Sequence, residues 1–208
     1  MQSDAELLDA WRGGDLSAGS ELFRRHVAVV SRFFANKVGD EREDLIQRTF
    51  LACIESRDRI RSGSTFGAYV LRIARSKLHD HFRARRGKEF DTLATSIAHL
   101  GDTPSQLLFR GERDRLLSAA LRAVPIDLQI TLELFYWERM SVQELAEVLG
   151  IAPGTVKSRL HDARHRLREQ LVALVGGAKP MALPSDEDLD EWIGSMRTRI
   201  DRLASGGG

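Results

Sequence analysis

The chain is poor in cysteine: Cys53 stands alone in 208 residues. No internal disulfide can form, so a reducing, cytosolic compartment is the expectation. Cys53 lies next to Ile54 in an apolar helical stretch, where a small buried residue fits better than a reactive thiol. Long apolar runs are lacking too. None approaches the roughly 20 residues that span a bilayer, and the N-terminus has no signal-peptide pattern, so a soluble, cytoplasmic protein without membrane insertion is expected. There is no glycine-rich phosphate loop and no nucleophile motif. His79-x-His81 with Asp80 is a weak candidate metal cluster, but no further ligand has sensible spacing and the helix is basic. No metal, no cofactor and no catalytic residue are therefore expected.

Net charge is nearly absent as well, at +1, which by itself argues against a nucleic-acid partner. The average hides a segregation. From Glu21 to Lys88 there are sixteen Lys and Arg against eight Asp and Glu. The balancing acids gather near the two ends, so the field is that of a basic module with acidic termini.

The most informative stretch is Ser141 to Arg168. Ser141 can cap a helix with Glu144 reaching back to it, a capping box. Val142, Leu145, Ala146 and Leu149 then share one face, and Gly150 follows where a helix ends in a left-handed residue. Pro153 suits the first turn of a second helix. There Val156, Leu160, Ala163 and Leu167 recur on one stripe, while Lys157, Ser158, His161, Arg164 and His165 face away. Two capped helices joined by a tight turn, with a basic outer face, form a helix-turn-helix suited to the DNA major groove.

The rest reads helical too. A short helix over Asp4 to Trp11 ends at Gly13-Gly14. A second runs from about Ser20 to Lys37. A third begins near Glu43-Asp44 and turns Leu45, Ile46, Phe50, Cys53 and Ile54 inward. A polar, basic loop from Arg57 to Ser64 leads into a helix from Thr65-Phe66 to Arg86. Residues 89–107 lose periodicity and form a linker. Helices return from Ser105 to Val124 and from Pro125-Ile126-Asp127 to Trp137. After a breaker cluster at Gly176-Gly177, an amphipathic helix from Ser185 carries Leu189, Ile193, Met196, Ile200 and Leu203. It either folds back on the second domain, or docks on a partner and shields the DNA-reading face with its acids. The fold class is all-α: an N-terminal helix (1–16), a helical domain (17–88), a flexible linker (89–107), a helix-turn-helix domain (108–175) and a tethered tail helix (176–208).

Taken together, Glu43-Asp-Leu-Ile-Gln-Arg-Thr-Phe-Leu51, Phe66 to Arg75, Asp80 to Arg86, Asp102 to Leu108, Val124 to Asp127 and the Ser141 motif resemble an extracytoplasmic-function sigma factor of the sigma-70 family. These are compact promoter-specificity subunits of bacterial RNA polymerase. The resemblance implies a sigma2-like bundle followed by a sigma4-like helix-turn-helix. It also implies core RNA polymerase and promoter DNA as partners, an anti-sigma factor as a further one, and a monomer when free. By position, Asp44, Gln47 and Arg48 would contact the polymerase clamp, with Asp44 and Gln47 opposite the face of Ile46, Phe50 and Cys53. Arg48 stands where the family usually has an acid. Arg61, Ser62, Ser64, Arg72, Arg75, Ser76 and Lys77 would bind the minus-ten element while a base is flipped out. Phe66 and Tyr69 read as core, and Arg83, Arg85 and Arg86 would hold duplex phosphates upstream. Lys157, Ser158 and His161 would face minus-thirty-five bases, with Thr155, Arg159 and Arg164 on phosphates. The function implied is to bind core polymerase, direct it to promoters and assist melting, with catalysis left to the polymerase. The alternative is a stand-alone helix-turn-helix regulator.

Overall fold

The computed structural model describes residues 2–60, 65–86, 90–100, 112–175 and 186–205. Ten α helices are present among them: α1 Asp4–Arg12, α2 Leu16–Ala35, α3 Arg42–Glu55, α4 Phe66–Arg86, α5 Ile97–Leu100, α6 Glu112–Ala123, α7 Ile126–Tyr136, α8 Val142–Leu149, α9 Pro153–Val175 and α10 Asp186–Ser205. A 3-10 turn at Arg57–Arg59 follows α3.

The first four helices pack on one another around Leu22, Phe34, Leu45, Phe66, Leu71 and Leu78, all nearly inaccessible. Ser3 and Glu6 form a capping box that starts α1. The second helix begins earlier than its apolar pattern suggested, because the Asp15 carboxylate accepts from the Ser17 and Ala18 amides and satisfies the first turn. That start carries Gly19 into the helix, where the Trp11 indole lies across it. Trp11 in turn meets Phe23 edge-on, ring centroids 5.3 Å apart.

In α3 the inward positions are Leu45, Thr49 and Cys53. Burial pushes the Cys53 thiol up to about 12. Ile54, expected inward, is 47 % exposed, and Leu51 is 58 % exposed. The inward stripe passes through Thr49 instead, whose hydroxyl donates back to the Leu45 carbonyl at 2.7 Å.

Residues 90–100, within the stretch without periodicity, are held by single contacts rather than by a repeat. Phe90 tilts against Phe82, Ile97 is fully buried, and the Ile126 and Asp127 amides donate to the Thr95 and Thr92 carbonyls.

Helices α6, α7 and α9 form a second cluster around Leu117, Leu121, Leu132, Trp137 and Leu167, while the apolar face of α8 joins the first. Helix α7 is buried on almost every side, because α6, α8, α9 and α10 pack on it and α2 reaches it as well. The seam between the halves is charged. Arg32 donates to both Glu138 carboxylate oxygens at 2.7 Å, with both side chains largely buried. Lys37, fully buried at the end of α2, donates to Glu133 and to the Phe33 carbonyl. Desolvation lowers its pKa, with Glu133 opposing. Asn36 bridges Glu133 and Ser118.

Asp127 at the start of α7 gathers the rest. Arg75 of α4 donates to both its oxygens at 2.9–3.1 Å, His79 lies 3.1 Å away, and Thr92 donates at 2.8 Å. Burial would raise this carboxyl, yet hydrogen bonds from His79 and Arg75 outweigh it and hold the group well below the usual carboxylate range. Helix α8 packs directly on α4, so the halves form one continuous core.

Two outcomes follow. Gly19→Ala gains about 1 kcal/mol of helix propensity, but its Cβ would fall 2.6 Å from the Trp11 ring. Overpacking of roughly 1–3 kcal/mol outweighs that gain, so the urea midpoint should drop. Because the folded Asp127 pKa is depressed, its stabilisation is present above the unfolded carboxylate value near about 3.9 and is lost as pH falls through the lower folded value. Asp127→Asn should therefore cost about 2 kcal/mol at neutral pH, as for a hydrogen bond to a charged group. The gap to wild type should persist down to pH about 4 and close only in stronger acid, as read from urea midpoints against pH.

Candidate nucleic-acid interface

The helix-turn-helix forms as its capping residues dictate. The Ser141 hydroxyl accepts from the Glu144 amide, and the Glu144 carboxylate accepts from the Ser141 amide at 2.8 Å. Gly150 ends α8 in the left-handed region at φ 68°. Leu145, Ala146 and Leu149 are buried with Val156 and Leu160 of α9, which fixes the angle of the second helix. Further along, Ala163, Leu167 and Leu171 bury against α6 and α7. With its back held, α9 presents Thr155, Lys157, Ser158 and His161 to solvent. Ser158 keeps its hydroxyl on the Gly154 carbonyl at 3.3 Å. This exposed face has the size and chemistry to enter a major groove.

The two arginines expected on phosphates are placed differently. Arg159 is 17 % exposed with Nη1 4.0 Å from Asp127. Arg164 donates to the Tyr136 hydroxyl at 2.7 Å and lies 3.3 Å from Asp190 of α10. Burial and the hydrogen bond to Asp190 raise the Tyr136 pKa, so it remains a neutral donor.

Helix α4 carries the other expected DNA surface. Thr65 caps it by accepting from the Ala68 amide at 3.1 Å. Phe66 is buried, and Tyr69 donates to Ser56 from a half-buried position, so both serve as packing bodies. Arg72 and Ser76 are exposed and Lys77 is half-buried, whereas Arg75 is turned to Asp127. Past them Arg83, Arg85 and Arg86 are exposed on the last turn. Arg83 pairs with Asp80 at 3.3 Å, Arg85 lies 3.9 Å from Glu41, and Arg86 donates to the His99 carbonyl. Such exposed pairs are worth little and exchange readily for phosphate. Arg61, Ser62 and Ser64 lie outside the described residues. His79, weighed as a metal ligand, is turned to Asp127.

A third surface lies between α2 and α3. Phe23, Val27, Ile46, Phe50, Leu51 and Ile54 line an open apolar groove of about 570 Å³, with Arg24 and Gln47 at its margin. Gln47 thus shares the face of Ile46 and Phe50, contrary to the expectation that it lies opposite them. Gln47 and Phe50 are three positions apart, nearly one helical turn, which brings both to one wall. Asp44 and Arg48 pair with each other at 2.8 Å on the exposed flank. Contiguous exposed apolar surface of this kind marks an interaction site. Leu51 and Ile54, apolar residues of α3 off the buried stripe of Leu45, Thr49 and Cys53, are its signal in the sequence.

Among the described residues no helix is long and apolar enough to cross a membrane. The family model for sigma-70 region 2 matches residues 22–98, and that for sigma-70 region 4 matches residues 114–167. The chain is 32 % identical over 171 residues to the RNA polymerase sigma factor CarQ of Myxococcus xanthus, covering 79 % of this chain and 95 % of that one. It is 29 % identical over 173 residues to the ECF RNA polymerase sigma factor SigM of Mycobacterium tuberculosis, covering 82 % and 85 %. The fold is similar to that of CnrH in its complex with the cytosolic domain of CnrY, with a TM-score of 0.61 at 23 % identity, over 83 % of this chain and 99 % of that one. Both halves match in the same order, and the chain belongs to the extracytoplasmic-function sigma factors of the sigma-70 family.

Proposed function

We propose that this sigma factor divides its work among three surfaces. It directs RNA polymerase to promoters. The groove of Phe23, Val27, Ile46, Phe50, Leu51 and Ile54, flanked by Asp44, Gln47 and Arg48, docks on core polymerase. Helix α4, with Arg72, Arg75, Ser76 and Lys77 and with Arg83, Arg85 and Arg86 upstream, holds the minus-ten element and assists its melting, together with Arg61, Ser62 and Ser64. Helix α9 reads the minus-thirty-five element through Lys157, Ser158 and His161, while Thr155, Arg159 and Arg164 hold phosphates. The observation that carries this division is the pair of long helices, α4 and α9, each packed along its back and polar along its front.

The energetics suit these roles. Each bidentate base contact from α9 supplies about 1–3 kcal/mol of discrimination. Flipping a base costs a few kcal/mol, which fixed cations on α4 offset. No bond is made or broken by the chain itself, and the catalytic step belongs to the polymerase. The protein works in the cytoplasm, bound to polymerase on DNA. The solved relative CnrH is held by a partner protein, CnrY, and an anti-sigma protein competing for polymerase-docking surface is the corresponding partner here.

Run-off transcription with bacterial core polymerase tests the assignment. Lys157→Glu should reduce promoter-specific transcript at least tenfold, about 1.4 kcal/mol, while leaving core binding intact. Ile54→Glu should weaken core binding at least tenfold and lose transcript with it, because a buried apolar contact becomes a buried charge. Duplex binding that needs no polymerase, with no transcript from any protein, would favour a stand-alone regulator.

A further inference from the structure

Helix α10 lies outside both matched regions, yet it is built into the seam between them. Trp192, Ile193 and Met196 are buried. They join one apolar cluster with Ala35 at the end of α2 and with Leu128 and Leu167 of the second half. The Trp137 indole N–H donates to the Ile193 carbonyl at 2.9 Å. Asp190 accepts from the Tyr136 hydroxyl and faces Arg164. One helix therefore grips the first half through α2 and the second through α7, with the Asp190–Arg164 pair reaching α9.

The same closed seam places acids on the cations that promoter DNA would need. Asp127 takes Arg75 of α4 and stands 4.0 Å from Arg159 of α9, so one buried carboxylate faces both expected DNA surfaces. Asp190 takes Arg164. A phosphate approaching Arg75 or Arg159 must displace a carboxylate already seated in low dielectric, which is a harder exchange than displacing water, while the half-exposed Asp190 is displaced from Arg164 more easily.

We propose that α10 is an internal clasp: it holds the chain closed, with Asp127 and Asp190 occupying the arginines in place of DNA phosphates, and the chain is silent toward promoters until the seam opens. The proposal rests on the assignment of α4 and α9 to promoter DNA. The equilibrium between closed and open forms then sets activity, and weakening the apolar grip of α10 shifts it toward the open form.

Full-length wild type is compared with Ile193→Glu/Met196→Glu and with Asp190→Ala. Small-angle scattering of the free wild type should give a radius of gyration near about 17 Å, as for a compact chain of this length. The double variant should be larger by several ångströms at unchanged helicity. With limiting core polymerase it should yield several-fold more promoter transcript, and Asp190→Ala a smaller rise in the same direction. A double variant as compact as wild type would overturn the clasp. So would an opened one that transcribes no better than an active wild type. If the double variant loses helicity, Asp190→Ala decides, since it removes one half-exposed carboxylate and no core contact, and an unchanged transcript level overturns the proposal. If wild type and variants are all silent with polymerase, the sigma assignment fails. Scattering, which needs no polymerase, still shows whether α10 closes the seam.

Discussion

Everything in this structure depends on how a basic half meets an acidic seam. Arg32, Lys37, Arg75 and His79 come from the first half, and Glu138, Glu133 and Asp127 receive them from the second. Each pair is largely withdrawn from water, so leaving either member alone costs about 2 kcal/mol or more. The seam is therefore closed tightly or opened as a unit. For the proposed switch this is a better basis than a seam of apolar contacts, because one of these cations, Arg75, has a second use in the promoter assignment. Phosphate satisfies an arginine as well as carboxylate does, with the same planar geometry.

The helix-turn-helix shows how a local motif and a global arrangement share residues. Leu145, Ala146 and Leu149 hold α9 at its angle and also belong to the apolar core that runs into α4. The exposed front of α9 is free for bases, while its flank carries Arg159 and Arg164 to internal acids. In the proposed assignment the base-facing residues are thus presented in the closed form, while Arg159 and Arg164 are engaged. Affinity for DNA comes mostly from phosphate contacts, and sequence choice from base contacts. On the proposed assignment, closure would remove affinity without rebuilding the specificity surface.

The local elements were legible in the sequence because local chemistry makes them. Ser141 with Glu144, Gly150 and Pro153 mark the helix-turn-helix at the positions where it forms, and the tail forms a helix with Ile193 and Met196 inward, as their spacing announced. The start of α2 was less legible: Gly19 looks like a breaker, but the Asp15 cap and the Trp11 indole decide otherwise. In α3 the apolar count pointed Ile54 inward, although a helix of that length has only one buried stripe and Thr49 occupies it. The seam was illegible for a different reason. Its pairs join residues 52, 96 and 106 positions apart. No periodicity encodes such partners, and each residue alone reads as an ordinary surface charge.

The most direct measurement is the separation of the two halves before and during transcription. Probes on cysteines introduced at the exposed positions Glu55 of α3 and Glu169 of α9 would report it, and the buried Cys53 thiol, with its raised pKa, would remain unlabelled. A single narrow distance distribution is expected in the free chain, and a markedly longer distance in the complex with core polymerase and promoter. A transcribing complex that keeps the distance of the free chain would contradict the proposed opening.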